Sequence, residues 1–390
     1  MATSDVELQG GALHADTALT CDFSVPEAVD ERFSPLLLGI IEGRPVSVSD
    51  LDVLAAATRE DPVQAAFLPG GGTALPRTVA LERIRLLKSL WGPFAGWWRS
   101  YFSGVIDVSA RVTDLWRLYL PFSQWIVHEK RVRQPGELFM IGFNGSPGAG
   151  KTVLGNALAV VLNHLLDQET EGQAIARSGD DWYLAKCDRE RLRAYGYDAG
   201  LPGVSNRGVP GTHDLGWLKR NLLEMQRSTH ESTIRMGNFD KKSDDQPTGA
   251  DRYLETRGKV GVFLFDLWFA GAETDVDPMG LPDGLRRRVA ENLREWRTVF
   301  DRMDALWGFD WPSFEQMVRE RESQERLIEQ RRGARGMSRE YIDAFMTYMV
   351  DQAWDWRTTS PIPPERTVTF HARRDANHRL ITVRRGGPPS

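Results

Sequence analysis

Apolar and polar positions recur along this chain in two rhythms, and the change between them falls near residue 110. Upstream, ALERIRLLKSLW places apolar residues three and four positions apart, the spacing of one helical face. Ser49 followed by Asp52 resembles a capping box opening a further helix through LDVLAAATRE. PGGGT at 69–73 predicts a flexible break between the two. Residues 1–25 are small and polar with no sustained period, and predict a loose N-terminal tail. Downstream, wholly apolar runs alternate with helical stretches, the pattern of a parallel sheet flanked by helices. The predicted organisation is therefore a tail (1–25), a helical region of unassigned chemistry (26–110) and an α/β domain (111–390). Trp91, Phe94, Trp97, Trp98, Tyr101 and Phe102 cluster just before the change. Without accompanying basic residues they predict core packing rather than base stacking.

The first apolar run of the α/β region breaks into glycines and ends in Lys-Thr: LFMIGFNGSPGAGKT, residues 138–152. Gly145, Ser146, Pro147, Gly148, Ala149, Gly150, Lys151 and Thr152 fit G-x-x-x-x-G-K-[ST], with a strand pattern before them and the helical pattern VLGNALAVVLNHLL after. In that context the glycines let backbone N–H groups surround a β-phosphate. Lys151 reaches the β and γ oxygens, and the Thr152 hydroxyl suits Mg²⁺. A second apolar run, KVGVFLFD at 259–266, ends in a carboxylate, so Asp266 is expected at the carboxyl edge of the sheet as the acid on the metal side.

Composition narrows the chemistry. The 390 residues carry a net charge of −5 and 41% hydrophobic residues, enough for a large core and without the basic excess of a nucleic-acid binder. Apolar runs are too short to span a bilayer, so no membrane partner is expected. Cys21 and Cys187 have no metal-like spacing, and no basic–apolar leader pattern is present, which reads as a cytoplasmic enzyme.

Between the two strand patterns lie the candidate acceptor residues. AIARSGDDWYLA (174–185) reads as a strand-like piece ending in Asp180 and Asp181, two carboxylates suited to general-base work and water-mediated metal contact, or to capping a turn. NRGVPGTHDLGWLKRNLLEM (206–225) offers Arg207, Thr212, His213 and Asp214 ahead of an amphipathic helix. Arg207 is equipped to hold a carboxylate or phosphate through its fork, whereas His213 and Asp214 either contact ligand or cap the helix. GNFDKKSDDQPTGADRY (237–253) reads as a charged, solvated loop.

Taken in order, YLPFSQWI, GFNGSPGAGKT, SGDDWYLA, RGVPGTHD, NFDKKSDD, GADR, LWFAG and QERLIEQRRGARGMS resemble the D-glycerate 3-kinases, within the phosphoribulokinase, uridine kinase and pantothenate kinase group of P-loop kinases. The resemblance covers most of residues 115–350. It implies ATP and Mg²⁺ held by Lys151 and Thr152, and Asp180 as the base toward the acceptor hydroxyl. Arg207, His213, Asp214, Asp240 and Lys241 then surround the acceptor, and Arg319 and Arg326 resemble lid arginines over the nucleotide; Asp181, Tyr183 and Thr212 are further candidates for contact with the acceptor. Two departures stand out: Asp266-Leu267-Trp268 replaces the family's Glu-Gly-Trp, and Gly237-Asn238 stands where a Pro commonly precedes the Phe-Asp-Lys. The expected activity is ATP-dependent phosphorylation of a hydroxyl on a small polar metabolite, D-glycerate foremost. The alternatives are a related kinase for another hydroxy acid, nucleoside or sugar-derived intermediate, and a nucleotide-driven switch or assembly protein.

Overall fold

The computed structural model describes residues 27–386 apart from 68–76, 105, 110, 134, 283, 333–336, 355–360 and 376–378. The expected N-terminal tail, the PGGGT break and Cys21 lie outside these residues. Strands β1 (Phe139–Asn144), β2 (Gln173–Ser178), β5 (Val260–Asp266), β6 (Ala305–Phe309), β7 (Phe370–Arg374) and β8 (Leu380–Arg385) form one sheet in the order β2-β5-β1-β6-β7-β8. All neighbours in it run parallel except the β7–β8 pair. Strands β3 (Thr233–Gly237) and β4 (Tyr253–Arg257) form a separate antiparallel hairpin.

The apolar strand pattern has a direct structural cause, because both sheet faces are covered. Phe139, Ile141 and Phe143 of β1 point into one hydrophobic core and Met140 into the other; Trp307 and Leu306 of β6 divide the same way. Side chains alternate across a strand, so burial on both faces removes the polar half of the pattern. From β1 the helix Lys151–Leu165 carries the chain to β2 on one side, and from β5 the helix Leu285–Phe300 carries it to β6 on the other. The carboxyl end of β1 is therefore a topological switch point, where the strand order opens a crevice for ligands. Among the described residues no helix is long and apolar enough to cross a membrane.

The helices Glu27–Ile41, Val48–Glu60 and Arg77–Tyr101 share the first of these cores with the sheet. Phe94, Trp98 and Phe102 are buried there, Trp91, Trp97 and Tyr101 pack against them partly buried, and Phe94 lies 5.6 Å from Tyr119, so the aromatic cluster is core as expected, even though Arg111 stacks over Trp98 at 5.5 Å. A buried ion pair stitches this region to the far edge of the sheet. Arg117 Nε donates to Asp61 at 2.7 Å and Arg117 Nη1 to the Leu380 carbonyl of β8 at 2.8 Å. The first element past residue 110 is helical, spanning 111–133 with a π turn at Leu115–Tyr119, so the strand–helix alternation begins only at β1. The capping box also sits two residues earlier than expected: Ser47 Oγ accepts from Asp50 N–H, while the Asp50 carboxylate accepts from Ser47 N–H. Both frames exist in the sequence, but Asp52 is drawn into a two-pronged pair with Arg77 and leaves the earlier frame to cap.

Candidate active site

The phosphate loop folds as its residues dictate. Gly148 and Gly150 take φ of 91° and 89°, a region that L side chains avoid, and a Cβ at Gly148 would lie 3.1 Å from Glu320 Cβ on the helix Phe314–Arg332. The loop delivers Lys151 and Thr152 to the first turn of the next helix. Lys151 Nζ donates to the carbonyls of Gly145 at 2.8 Å and Ser146 at 3.0 Å and lies 4.0 Å from Asp266 Oδ1. Asp266 emerges from the end of β5, and its Oδ2 accepts a short hydrogen bond from the Thr152 hydroxyl. Burial lowers the Lys151 pKa and raises that of Asp266, with each partner's charge opposing the shift. A hydroxyl and a carboxylate converging beside the phosphate loop are hard oxygen donors, a set that fits Mg²⁺.

Asp180 joins them from β2. The strand ends at Ser178, one turn earlier than expected, and Gly179–Trp182 form a 3₁₀ turn in which the two carboxylates diverge. Asp180 lines the cleft; its Oδ1 accepts from the Tyr183 hydroxyl at 2.6 Å and its Oδ2 faces Lys241 Nζ at 2.6 Å. Burial alone would raise its pKa, but the Lys241 charge and these two hydrogen bonds override it and hold Asp180 well below the carboxylate range. Asp181 turns back, accepting from Ser178 N–H at 3.3 Å as the cap of the turn, and burial pushes it up to about 7. It does not line the cleft with Asp180.

The remaining predicted residues divide between cleft and scaffold. Tyr183, Arg207 and Lys241 line the cleft. Thr212 Oγ1 donates to the Val209 carbonyl at 2.7 Å, and Asp214 caps the helix Leu215–Gln226 by accepting from Trp217 N–H at 2.8 Å. His213 is buried among Tyr183, Phe269 and Trp296, with ring centroids 4.5, 5.8 and 5.2 Å away. Among the described residues neither ring nitrogen makes a hydrogen bond of full geometry, and burial lowers its pKa to about 4 against the opposing pull of Asp180 and the Val209 backbone. Asp240 accepts from Lys242 and Ser243 N–H, building the turn that presents Lys241. Arg319 and Arg326 are exposed; from the same helix it is Arg321 and Gln324 that line the cleft. Leu267 lies beneath the 179–182 turn, its Cδ1 2.5 Å from where a Gly179 Cβ would be, so it supports Asp180 from below.

Sequence reasoning missed Asp244, read as part of a solvated charge run, and Arg189, hidden in a helical stretch. Both belong to the charged wall behind Arg207 described below, and nothing in their local sequence distinguishes them from surface charges. Gly237 did leave a signal, standing in place of an expected residue. A Cβ there would collide with the carbonyl oxygen of Asp181, so only glycine lets β3 pack against the 179–182 turn and bring Lys241 to Asp180. A roomier groove between the helix Leu215–Gln226 and the β3–β4 hairpin holds none of the phosphate-loop residues.

No family model matches the chain. It is similar to an uncharacterized kinase, mug58, of Schizosaccharomyces pombe, at 23% identity over 244 residues, 57% of this chain and 83% of that one. Among solved structures it is similar to the YGR205w protein, with a TM-score of 0.51 and 20% identity, covering 69% of this chain and 97% of that one. A D-glycerate 3-kinase from Cryptococcus neoformans var. grubii aligns over 68% of this chain and 96% of that one, with a TM-score of 0.48 and 16% identity. The architecture this chain shares with the YGR205w protein is a mostly parallel sheet flanked by helices, and in this chain a helical region precedes it.

Proposed function

We propose that this protein is an ATP-dependent kinase that phosphorylates a hydroxyl of a small hydroxy acid, with D-glycerate the leading acceptor. The observation that carries the reading is the meeting of Lys151, Thr152, Asp266, Asp180 and Arg207 in one cleft at the switch point of the sheet. The kinase name of the S. pombe relative supports the same chemistry. A nucleotide switch has no acceptor to deprotonate or hold, so it has no need of the Asp180 and Arg207 segments; ATP turnover that requires a small hydroxyl compound separates the two readings.

In this reading the loop amides and Lys151 bind the β- and γ-phosphates and spread the charge that develops during transfer. Thr152 and Asp266 would hold Mg²⁺, which when bound neutralises phosphate charge. Asp180, ionised at neutral pH and anchored through both oxygens, aligns the acceptor O–H. The acceptor oxygen bonds to the γ-phosphorus as the bond to the ADP oxygen breaks, and its proton passes to the Asp180 carboxylate. Arg207 holds the acceptor's acid group. Incubating hydroxy acids, nucleosides, pantothenate and glycerol with ATP and Mg²⁺, and following products by phosphorus NMR, tests the proposal. A phosphorylated hydroxy acid with glycerol left unreacted supports it; efficient glycerol phosphorylation, or ATP turnover with no acceptor, overturns it.

A further inference from the structure

Behind Arg207 lies an arrangement of charge that the phosphate-loop chemistry does not use. Asp244 Oδ1 takes the Arg207 Nη1 ion pair and a hydrogen bond from Ser205 Oγ at 2.8 Å, while Oδ2 lies 3.2 Å from Arg189 Nη2. Both arginines are almost wholly buried, at 1% and 3% exposure, and both sit over the Phe239 ring, Arg189 at 5.2 Å and Arg207 at 5.7 Å. The Phe345 ring lies 5.7 Å from Arg207 as well. Phe239 and Phe345 fix the guanidinium plane, and Asp244 fixes its direction. Arg207 meets Asp244 through Nη1, and the rest of its fork is left for the cleft it lines.

Charge counting gives this wall a chemical meaning. Two buried guanidiniums share one carboxylate, leaving one positive charge in excess, whereas the Asp180–Lys241 and Asp266–Lys151 pairs each cancel. A buried charge without a counter-ion is unfavourable, so the wall is satisfied by an acceptor carrying one negative charge. A neutral polyol leaves the excess unanswered, and a dicarboxylate brings one charge too many.

We propose that Asp244 is a positioning and specificity-determining residue: it aims Arg207 into the cleft and limits the wall to one excess charge, selecting hydroxy monocarboxylates over hydroxy dicarboxylates. This rests on the acceptor class proposed above. Asp244 also occupies a left-handed backbone conformation, φ 55°, which offers a bland alternative role as a turn former. Two variants separate the roles. Asp244→Gly suits the left-handed turn better than Asp but has no carboxylate, and Asp244→Asn keeps the shape without the charge.

Both variants should raise KM for glycerate about tenfold or more while KM for ATP stays within about twofold. Both should also shift the kcat/KM ratio of hydroxymalonate to glycerate about tenfold toward the dicarboxylate. A wild-type KM in Asp244→Gly, or an unchanged ratio in both variants, overturns the proposal. Nitrogen-15 NMR of the arginine side chains reads the positioning without any substrate. Hindered rotation of the Arg207 guanidinium in the wild type, lost in Asp244→Gly, supports it, and signals unchanged by the substitution overturn it. If the wild type phosphorylates no hydroxy acid, the acceptor class and the selectivity fall together, and the NMR result alone decides whether Asp244 aims Arg207.

Discussion

At the scale of single residues, the cleft is a set of charges whose ionisation is set by burial and partners together. Lys151→Ala removes the one side-chain cation inside the phosphate loop and should reduce turnover by about 10³-fold or more with the fold intact, measured by coupled assay and circular dichroism. Asp180→Asn keeps the size but loses the proton acceptor and the Lys241 ion pair. Calorimetry should find ATP affinity held while kcat falls by about 10²- to 10⁴-fold; an enzyme with near-wild-type kcat would transfer the base role elsewhere. His213 gives a pH signature with a definite sign. Its folded pKa, about 4, lies below the unfolded value of 6.5, so its contribution is fully present above pH 6.5 and is lost as pH falls through 4. Relative to the wild type, His213→Phe should therefore gain stability between pH 6.5 and 4, by at most about 3 kcal/mol. Denaturant titrations at several pH values check this, and a difference that does not vary with pH would show that His213 is not buried in its neutral form.

At the scale of elements, short loops bring distant strands to one point. The β3–β4 hairpin reaches the 179–182 turn only because Gly237 has no side chain to strike Asp181. Gly237→Ala should lower kcat at least about tenfold by drawing Lys241 away from Asp180, and should cost about 1–3 kcal/mol of stability. Normal kcat with lowered stability would limit Gly237 to packing. The helix Phe314–Arg332 makes a similar distinction among its arginines. Arg321→Ala should lower kcat/KM about tenfold, with Arg319→Ala and Arg326→Ala within about twofold of wild type, because only Arg321 of the three lines the cleft. The opposite ranking in steady-state kinetics would favour the exposed pair as the nucleotide lid.

At the scale of the whole molecule, the helices before residue 110 and the sheet share one hydrophobic core, and Arg117, Asp61 and the Leu380 carbonyl bind them through buried polar contacts. Arg117→Met leaves the buried Asp61 without its cation, held only by Val63 N–H and Gln64, and should destabilise the protein by about 3–5 kcal/mol. Replacing both partners with apolar residues should recover much of that loss. Unfolding followed by tryptophan fluorescence, circular dichroism and kinase activity should give one coincident transition, since a helical region that melts first would separate the three curves.

The sequence by itself determined the local features. The phosphate loop, the carboxylate ending a buried strand and the parallel α/β class are all set by short-range patterns: glycines where φ must be positive, apolar runs where both faces are covered. Asp180 was legible because its segment follows in order after the loop. Tertiary structure alone decided what depends on direction and on distant partners. Adjacent carboxylates diverge because a 3₁₀ turn, rather than a strand, holds them, so Asp180 enters the cleft and Asp181 caps. Asp244 and Arg189 become the wall behind Arg207 only when a short helix and two separate loops meet, and no local pattern distinguishes them from solvated charges. Arg321 and Gln324 face the cleft and Arg319 and Arg326 do not, because the rotation of a helix is fixed by what it packs against. Local steric and hydrophobic rules are written residue by residue, whereas the charge environment of a buried site is a sum over residues that only folding brings within reach of one another.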